Sequence, residues 1–253
     1  MNITDTAKSL HQSARTQTPR SQFSSQSSYS LDDAYKVQHA LISERVAEGH
    51  PIVGVKMGFT SVAKMKQMGV EDMIIGQLTS DMLIPTKGTF IHDQFIHPRA
   101  EPEIAFRLSK DIDGVLTVDE LSDYIDGVAA AIEVIDSRYE NFKFSLEDVV
   151  ADNCSSAAYV LGTWCNVPLG LNGLDMVMSF DGTPVAEGNS DAILDNPFEA
   201  LAAATRLAAQ HGIVLKAGMV VLAGASTAAH FIKGATSVHL TVDGLGETGF
   251  QVG

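Results

Sequence analysis

The stretch EPEIAFRL at residues 101–108 alternates polar and apolar side chains, whereas GVAAAIEVIDS at residues 127–137 is almost continuously apolar. The first pattern has the period of two that is typical of a β-strand, and the second predicts a more buried strand. Because side chains two residues apart leave a strand on the same face, Glu101 and Glu103 should project together. These two stretches are the most informative part of the sequence for the fold, since they predict strands that carry carboxylates within a sheet.

Further strand patterns follow this pair and precede it along the chain. They are IVGVKMGFT (52–60), AAYVLGTW (157–164), LDMVMSFDG (174–182), MVVLAG (219–224), SVHLTVDG (237–244) and TGFQV (248–252). Helical spacing and end signals predict three helices, at about residues 31–48 after a Ser30 cap, at 61–69, and at 197–211 before Gly212. Residues 1–29 are rich in Ser, Gln and Thr, which predicts a flexible arm or a loosely packed lead-in.

Strands therefore dominate, with a few helices outside them. No internal repeat and no regular strand–helix alternation is visible, which disfavours a Rossmann fold or a TIM barrel. The sequence predicts an α+β protein with a small N-terminal helical segment. We expect an N-terminal arm and helix over residues 1–50 and a β-rich catalytic domain over residues 51–253.

The charge of the chain limits its partners. The net charge is −14, from 17 Lys and Arg against 31 Asp and Glu, which disfavours binding to nucleic acid or to an anionic membrane surface. A small anionic substrate would need a local cation. Cys154 and Cys165 are the two cysteines and form no CxxC motif, and no stretch reaches the length of a membrane span. We expect a cytoplasmic protein.

Glu101, Glu103 and Glu133 are the candidate metal ligands. Neighbouring carboxylates in a partly buried place repel each other, and a divalent cation such as Mg²⁺ removes that penalty. Glu133 lies in the apolar run AAAIEVID, where an unpaired carboxylate is costly. Two alternatives stay open: an exposed strand face that happens to carry two acids, and a buried Glu133 paired with a Lys or Arg such as Arg138.

Other candidates are a lysine, an arginine and two serines. Lys56 lies between Val55 and Met57, where it would hold a substrate carboxylate or polarise a carbonyl, or else be an edge-strand lysine with its head in water. Arg138 follows a buried strand and has the geometry to bind a carboxylate in a bidentate manner. Ser155 and Ser156 are candidates for contact with a substrate carboxylate.

Four segments together resemble the 2-oxopent-4-enoate hydratase and 4-oxalocrotonate decarboxylase family of the fumarylacetoacetate hydrolase superfamily. They are VGVKMGFTSVAKMKQMGV (53–70), HPRAEPEIAF (97–106), EVIDSRYENFKF (133–144) and VVADNCSSAAYVLG (149–162). The resemblance implies a mixed, rolled β-sheet of the fumarylacetoacetate-hydrolase C-terminal type with flanking helices. It also implies that the three glutamates bind Mg²⁺ or Mn²⁺ and that Lys56 is catalytic.

One residue separates the two arms of this family. Hydratases tend to carry P-D-[FY]-G where this chain has Met73-Ile74-Ile75-Gly76, so that Ile74 takes the place of the Asp. The resemblance is therefore to the decarboxylase arm, which implies a lyase that converts 2-oxo-3-hexenedioate (4-oxalocrotonate) to 2-hydroxypenta-2,4-dienoate in meta-cleavage aromatic catabolism. The alternatives are a hydratase of that dienoate and a non-catalytic partner subunit of a hydratase assembly. We expect a small 2-oxo dicarboxylate as substrate, a homo-oligomer, and a complex with a 2-oxopent-4-enoate hydratase.

Overall fold

Two mixed sheets and their flanking helices make up the part of the chain that the structure, a computed structural model, describes: residues 2–26, 28–61, 65–66, 70 and 72–253. Four α-helices lie wholly within it: α1 Ile3–Arg15, α2 Leu31–Ala47, α3 Leu146–Ala151 and α4 Pro197–His211. The strands are β1 Ile52–Gly58, β2 Ile74–Thr79, β3 Thr89–Phe90, β4 Arg99–Leu108, β5 Ile125–Ile135, β6 Ser156–Leu161, β7 Asp175–Phe180, β8 Thr183–Asn189, β9 Val220–Ala225, β10 His230–Phe231, β11 Ser237–Val242 and β12 Gly246–Val252. The predicted α+β class is confirmed.

The larger sheet has the strand order β2–β1–β9–β4–β5–β6, and β10 pairs with the beginning of β4. The β1 and β9 strands are parallel, and the other pairs in this sheet are antiparallel. The sheet curls, because the chain just after β2 returns to the opposite edge, where Leu83 bridges Tyr159 and the Ile84 N–H donates to the Tyr159 carbonyl at 2.8 Å. This is the rolled sheet that the sequence predicts.

The roll has an apolar inner cluster that is separate from the main core. It contains residues from both edges and from the middle of the large sheet: Leu78, Met82, Ala105, Ala131, Tyr159, Val220 and Leu222. The main core packs the other face against the helices and the second sheet; there Phe106 of β4 lies 5.4 Å from Phe198 of α4, centroid to centroid. The second sheet has the order β3–β12–β11–β7–β8. The sheet therefore offers two buried faces of different character.

The predicted helix ends are confirmed at α2 and α4. The Ser30 hydroxyl accepts the Asp33 N–H at the start of α2. The Asn196 side chain caps α4, Pro197 is its first residue, and Gly212 ends it in the left-handed conformation. Proline is common at the first position of a helix and glycine just past its end.

The prediction of a flexible arm over residues 1–29 is wrong for its first half. Ile3–Arg15 form α1, capped by Asn2 and packed on α2, with Ala7 and Leu10 buried in the main core. The apolar residues of α1 recur at helical spacing, but most of them are small, so the polar composition conceals a narrow apolar stripe.

Of the predicted short helix at 61–69, Met65 and Lys66 are helical, and the rest lies mainly outside the described residues. None of the helices in the described part of the chain has the length and apolar character needed to cross a lipid bilayer.

Candidate functional site

Three carboxylates converge on the inner face of the large sheet. Glu101 and Glu103 lie two residues apart on β4, and Glu133 on β5 is the direct antiparallel partner of Glu101. One oxygen from each of the three residues lies within 4.8 Å of the others. The period-two interpretation of EPEIAFRL and the burial of the β5 strand account for this convergence, since the register of β4 with β5 brings Glu133 opposite the pair.

Two of these carboxylates are fully buried beside apolar side chains. Glu103 and Glu133 are fully buried and Glu101 is half-buried. Glu103 shares its strand face with Ala105, and Glu133 shares its face with Ala131, and both alanines belong to the inner apolar cluster. The alternative of two acids on an exposed strand face is therefore excluded.

Lys56 provides a buried counter-charge. Its Nζ lies 2.8 Å from Glu133 Oε2 and donates to the Cys154 carbonyl oxygen at 3.2 Å. The lysine sits on β1, an interior strand, and opposite it Gly76 leaves room, because a Cβ there would lie 3.2 Å from Lys56 Cδ. The alternative of an edge-strand lysine with a solvated head is wrong, and the cation that pairs with Glu133 is Lys56 and not Arg138.

Glu103 is held by a backbone donor from β9. The Gly224 N–H donates to Glu103 Oε2 at 2.8 Å, at a point where the register between β4 and β9 shifts. Gly224 has a φ of +104°, and a Cβ at this position would lie 2.0 Å from Thr60 Oγ1. Only glycine allows this approach, so the donor is built into the backbone.

The cluster carries more negative than positive charge. Burial first, and the charge of Glu133 second, raise the pKa of Glu103 well above its ordinary value. For Lys56, burial alone would lower the pKa, but the charges of Glu133 and then Glu101 outweigh it and the pKa rises. Glu103 Oε1 and Glu133 Oε1 are buried and accept no hydrogen bond from any described residue. Oxygen atoms of this kind, in a set of three carboxylates, fit a hard divalent cation that completes its shell with water and substrate.

The loop that supplies the Cys154 carbonyl is strained. Asn153, Cys154 and Ser155 all have positive φ, at 51°, 53° and 59°. The Asn153 side chain fixes the loop, because its Oδ1 accepts the Gln77 N–H and its Nδ2 donates to the Gln77 carbonyl, each at 2.8 Å. Strain held in this way is found mostly where backbone groups serve a site.

The two serine candidates have different surroundings. The Ser155 hydroxyl is buried and has no hydrogen-bond partner among the described residues. Ser156 instead points its hydroxyl to Met82 Sδ at 3.9 Å and lines a cavity of about 20 Å³ beneath α1 and α2. We therefore retain Ser155 as a candidate for substrate contact and leave Ser156 out.

Arg138 is committed to the protein itself. Its guanidinium forms a buried ion pair with Asp152 and also donates to the carbonyl oxygens of Asp136, Asp152 and Ser156. Burial raises the pKa of Asp152 to about 6, although the charge of Arg138 opposes the shift. Because Arg138 is buried and its guanidinium makes four hydrogen bonds within the protein, the structure does not support the prediction that it binds a substrate carboxylate.

Two groups that contact the candidate site cannot be identified from the type of side chain. The Gly224 N–H and the Cys154 carbonyl both belong to the backbone, so the residue type at each position does not indicate them. For the Gly224 N–H, the sequence signal is the glycine in MVVLAG, which a polar segment follows. The second depends on a positive φ at a cysteine, which sequence patterns do not encode.

Comparison with known proteins places this geometry among enzymes. Residues 52–253 match the family model described as fumarylacetoacetate (FAA) hydrolase C-terminal. A 4-oxalocrotonate decarboxylase from Pseudomonas sp. is 45% identical over 251 residues, which are 99% of this chain and 98% of that one. A 2-keto-4-pentenoate hydratase from Paraburkholderia xenovorans (strain LB400) is 35% identical over 77% of this chain and 74% of the relative.

A solved structure is similar over the whole chain. The 4-oxalocrotonate decarboxylase from Pseudomonas putida G7, complexed with magnesium and adipate, superposes with a TM-score of 0.95. The sequences are 32% identical, and the match covers 99% of this chain and 97% of that one. At this coverage the similarity includes α1 and α2 as well as both sheets.

Proposed function

The chain belongs to the family of 4-oxalocrotonate decarboxylases and 2-keto-4-pentenoate hydratases, and we propose that it decarboxylates 2-oxo-3-hexenedioate to 2-hydroxypenta-2,4-dienoate. The observation that carries the proposal is the convergence of three carboxylates beside a buried lysine. A neighbouring decarboxylase structure that holds magnesium and a six-carbon dicarboxylate supports the same substrate class. The reaction is a step of meta-cleavage aromatic catabolism.

Glu101, Glu103 and Glu133 would hold Mg²⁺ or Mn²⁺. When bound there, the cation supplies Lewis-acid polarisation of the C2 carbonyl of the substrate. Gly224 fixes Glu103 and Lys56 fixes Glu133, so these contacts set where a bound cation would lie. The apolar inner cluster lies beside Glu103 and Glu133, and charge interactions are stronger next to such low-dielectric surroundings than in water.

Lys56 acts as a fixed cation in this proposal. Against the effect of burial, the charges of Glu133 and Glu101 raise its pKa, which favours the protonated amine. Loss of CO₂ from C6 leaves the electron pair of the broken bond delocalised to the C2 oxygen. A protonated amine near that oxygen stabilises the developing negative charge, and protonation of the oxygen gives the 2-hydroxy product.

Ile74 favours decarboxylation over hydration. Its side chain is buried in the main core and packs over Gly58, where a Cβ would lie 2.8 Å from Ile74 Cγ1. Hydration requires a group that delivers or accepts a proton on the diene, and an isoleucine cannot do either. Decarboxylation of a conjugated 2-oxo acid needs no such group, since the leaving CO₂ provides the electron pair.

The direct test supplies the protein with Mg²⁺ and 2-oxo-3-hexenedioate, and in a second cuvette with 2-hydroxypenta-2,4-dienoate. Ultraviolet absorbance follows both substrates, with and without EDTA, and released CO₂ is measured in the first. We expect EDTA-sensitive loss of the dicarboxylate with stoichiometric CO₂. Consumption of only the dienoate would make the protein a hydratase. Metal binding without turnover of either compound would favour a non-catalytic partner subunit.

The assembly and location follow as expectations of the same proposal. We propose that the enzyme is a cytoplasmic homo-oligomer that forms a complex with a 2-oxopent-4-enoate hydratase, which would consume its product. Light scattering of the purified protein, alone and mixed with such a hydratase, measures the mass of the homo-oligomer and of the complex. A monomeric mass and no change on mixing would reject this part while leaving the chemistry untouched.

A further inference from the structure

Arg99 is a cation that the reaction so far leaves unused. It is the first residue of β4, and the alternation of that strand places it on the same face as Glu101 and Glu103. Two strand residues span about 6.8 Å, so the arginine lies one step beyond the carboxylates along the strand. Glu101 is close enough for its charge to act on the guanidinium.

Two aromatic rings hold the guanidinium in place. Its central carbon lies 4.2 Å from the centroid of Phe142 and 4.1 Å from that of Phe231, which faces Arg99 from β10. Phe231 is 55% exposed, so the arginine stands at the outer end of the site. Stacking of this kind fixes a planar guanidinium while leaving its N–H donors at the edge of the plane.

Those donors have no acceptor among the described residues. Arg99 takes part in no hydrogen bond or ion pair with them, and its Nε is buried without a partner. Arg107, on the same face of the same strand, shows the ordinary arrangement: it lies over Trp164 but is ion-paired with Asp126 at 2.6 Å. A stacked arginine with free donors in a protein of net charge −14 is suited to an incoming carboxylate.

We propose that Arg99, held between Phe142 and Phe231, binds the C6 carboxylate of the substrate and makes the site selective for 2-oxo dicarboxylates. The inference rests on the proposed function, because that function places the 2-oxo acid head at the three glutamates. An extended six-carbon diacid then directs its second carboxylate along β4, towards Arg99. The five-carbon product lacks this carboxylate, loses the contact and is released.

The kinetic consequence is distinctive. The ion pair with the C6 carboxylate exists in the bound substrate and weakens as that group leaves as CO₂. An interaction that is stronger in the ground state than in the transition state aids substrate binding but raises the barrier of the chemical step. Removal of Arg99 should therefore raise KM strongly and increase kcat, so that kcat/KM changes less than KM.

Calorimetric binding of two unreactive ligands at saturating Mg²⁺ tests the proposal. The ligands are 2-oxohexanedioate and 2-oxohexanoate, which share the 2-oxo acid head and differ by the distal carboxylate. The native protein should bind the diacid about 10- to 100-fold more tightly, as expected for a charge-assisted pair. Arg99→Met should remove this preference and leave the affinity for 2-oxohexanoate and for Mg²⁺ unchanged. Arg107→Met is the matched control and should keep the preference.

Two further variants protect the test against misfolding. Phe231→Ala removes an exposed ring, so it should fold normally and reduce the preference several-fold. Arg99→Lys keeps the charge without the planar fork and should fall between the native protein and Arg99→Met. Equal weakening of both ligands in these variants, or no weakening, would overturn the assignment of Arg99.

The outcome is separable from the proposed function. A protein that decarboxylates 2-oxo-3-hexenedioate but shows no preference for the diacid would reject the role of Arg99 alone. A protein that shows the Arg99-dependent preference but releases no CO₂ would reject the decarboxylase and retain the dicarboxylate site.

Discussion

Two buried ion pairs adjoin the loop at residues 152–155, and they differ in how completely their charged groups are satisfied by protein partners. In the pair between Lys56 and Glu133 the side chains are 5% and 0% exposed, and in the pair between Arg138 and Asp152 they are 7% and 0% exposed. By burial alone they would be judged equivalent. Both charged partners of each pair come from different parts of the chain.

Their surroundings separate them. Arg138 and Asp152 are one positive and one negative charge, with protein acceptors for the remaining guanidinium donors. Lys56 faces three carboxylates, and oxygens of Glu103 and Glu133 lack hydrogen bonds from the described residues. Balanced pairs hold a fold together, whereas a surplus of buried charge is tolerated where a ligand completes it. Surplus charge is thus a better marker of function than burial.

The largest expected effect comes from removing one carboxylate of the three-glutamate cluster, where buried negative charge is in surplus. Glu103→Gln should lower Mg²⁺-dependent turnover by more than about 1,000-fold, since even changes behind a metal ligand cost 10- to 100-fold. The metal-free variant should be about as stable as the native protein, because the amide is neutral like the protonated carboxyl that the raised pKa of Glu103 favours, and its oxygen still accepts the Gly224 N–H. Initial rates with Mg²⁺ and thermal unfolding in EDTA measure the two effects. Unchanged activity would reject Glu103 as a ligand, and a large loss of stability would show that its role is structural.

The next effect breaks the balanced pair. Arg138→Met leaves the Asp152 carboxylate buried without its partner, which should lower the free energy of unfolding by about 3–5 kcal/mol. Denaturant unfolding measures this loss. The rise in Tm on addition of Mg²⁺ should match that of the native protein, because Arg138 does not contact the three glutamates. A lost response to Mg²⁺ would instead return Arg138 to the functional site.

The sequence was sufficient for the carboxylates and for most of the strands. Period-two alternation placed Glu101 and Glu103 on one face, and the apolar run around Glu133 marked a carboxylate that requires a partner. Both inferences depend only on local chain geometry. The same alternation includes Arg99, and extending the pattern by one step would have identified it.

Long-range pairing was not accessible in the same way. The partner of Glu133 is Lys56 because only β9 lies between β1 and β4 in the sheet. The strand order in the sheet differs from the order along the chain. Arg138 is much nearer in sequence, which is why the sequence offers it as an example of a Lys or Arg partner. The α1 helix was missed for a different reason, since its buried face consists mainly of small or polar side chains such as Ala7 and Ser13.

A smaller effect concerns pH and sharpens the idea of surplus charge. A carboxyl whose pKa is raised in the folded state stabilises that state fully below its unfolded pKa of about 4.3, and this contribution is lost as pH rises through the raised pKa. The metal-free protein should therefore lose stability as pH rises through the raised pKa of Glu103. A cation must displace that proton, so Mg²⁺ affinity should increase with pH by up to about tenfold per unit.

Calorimetry from pH 5.5 to pH 8, in buffers with different ionisation enthalpies, would count the protons released on Mg²⁺ binding. Glu103→Gln provides the matched control, since it has no proton to release at this position and should show a weaker pH dependence. An affinity for Mg²⁺ that is independent of pH would mean that Glu103 is already ionised before the cation arrives.

The smallest expected effect lies between the two pairs, at Cys154. Burial raises the pKa of its thiol to about 12, and Lys56 contacts its backbone carbonyl, so the side chain has no part in either pair. Cys154→Ala should lower the free energy of unfolding by about 1 kcal/mol through lost packing and leave kcat within about twofold. Denaturant unfolding and steady-state rates test this, with Cys165→Ala as the control for the other thiol. A large loss of kcat would mean that the thiol itself reaches the substrate, and the strained loop would then contribute a side chain as well as a carbonyl.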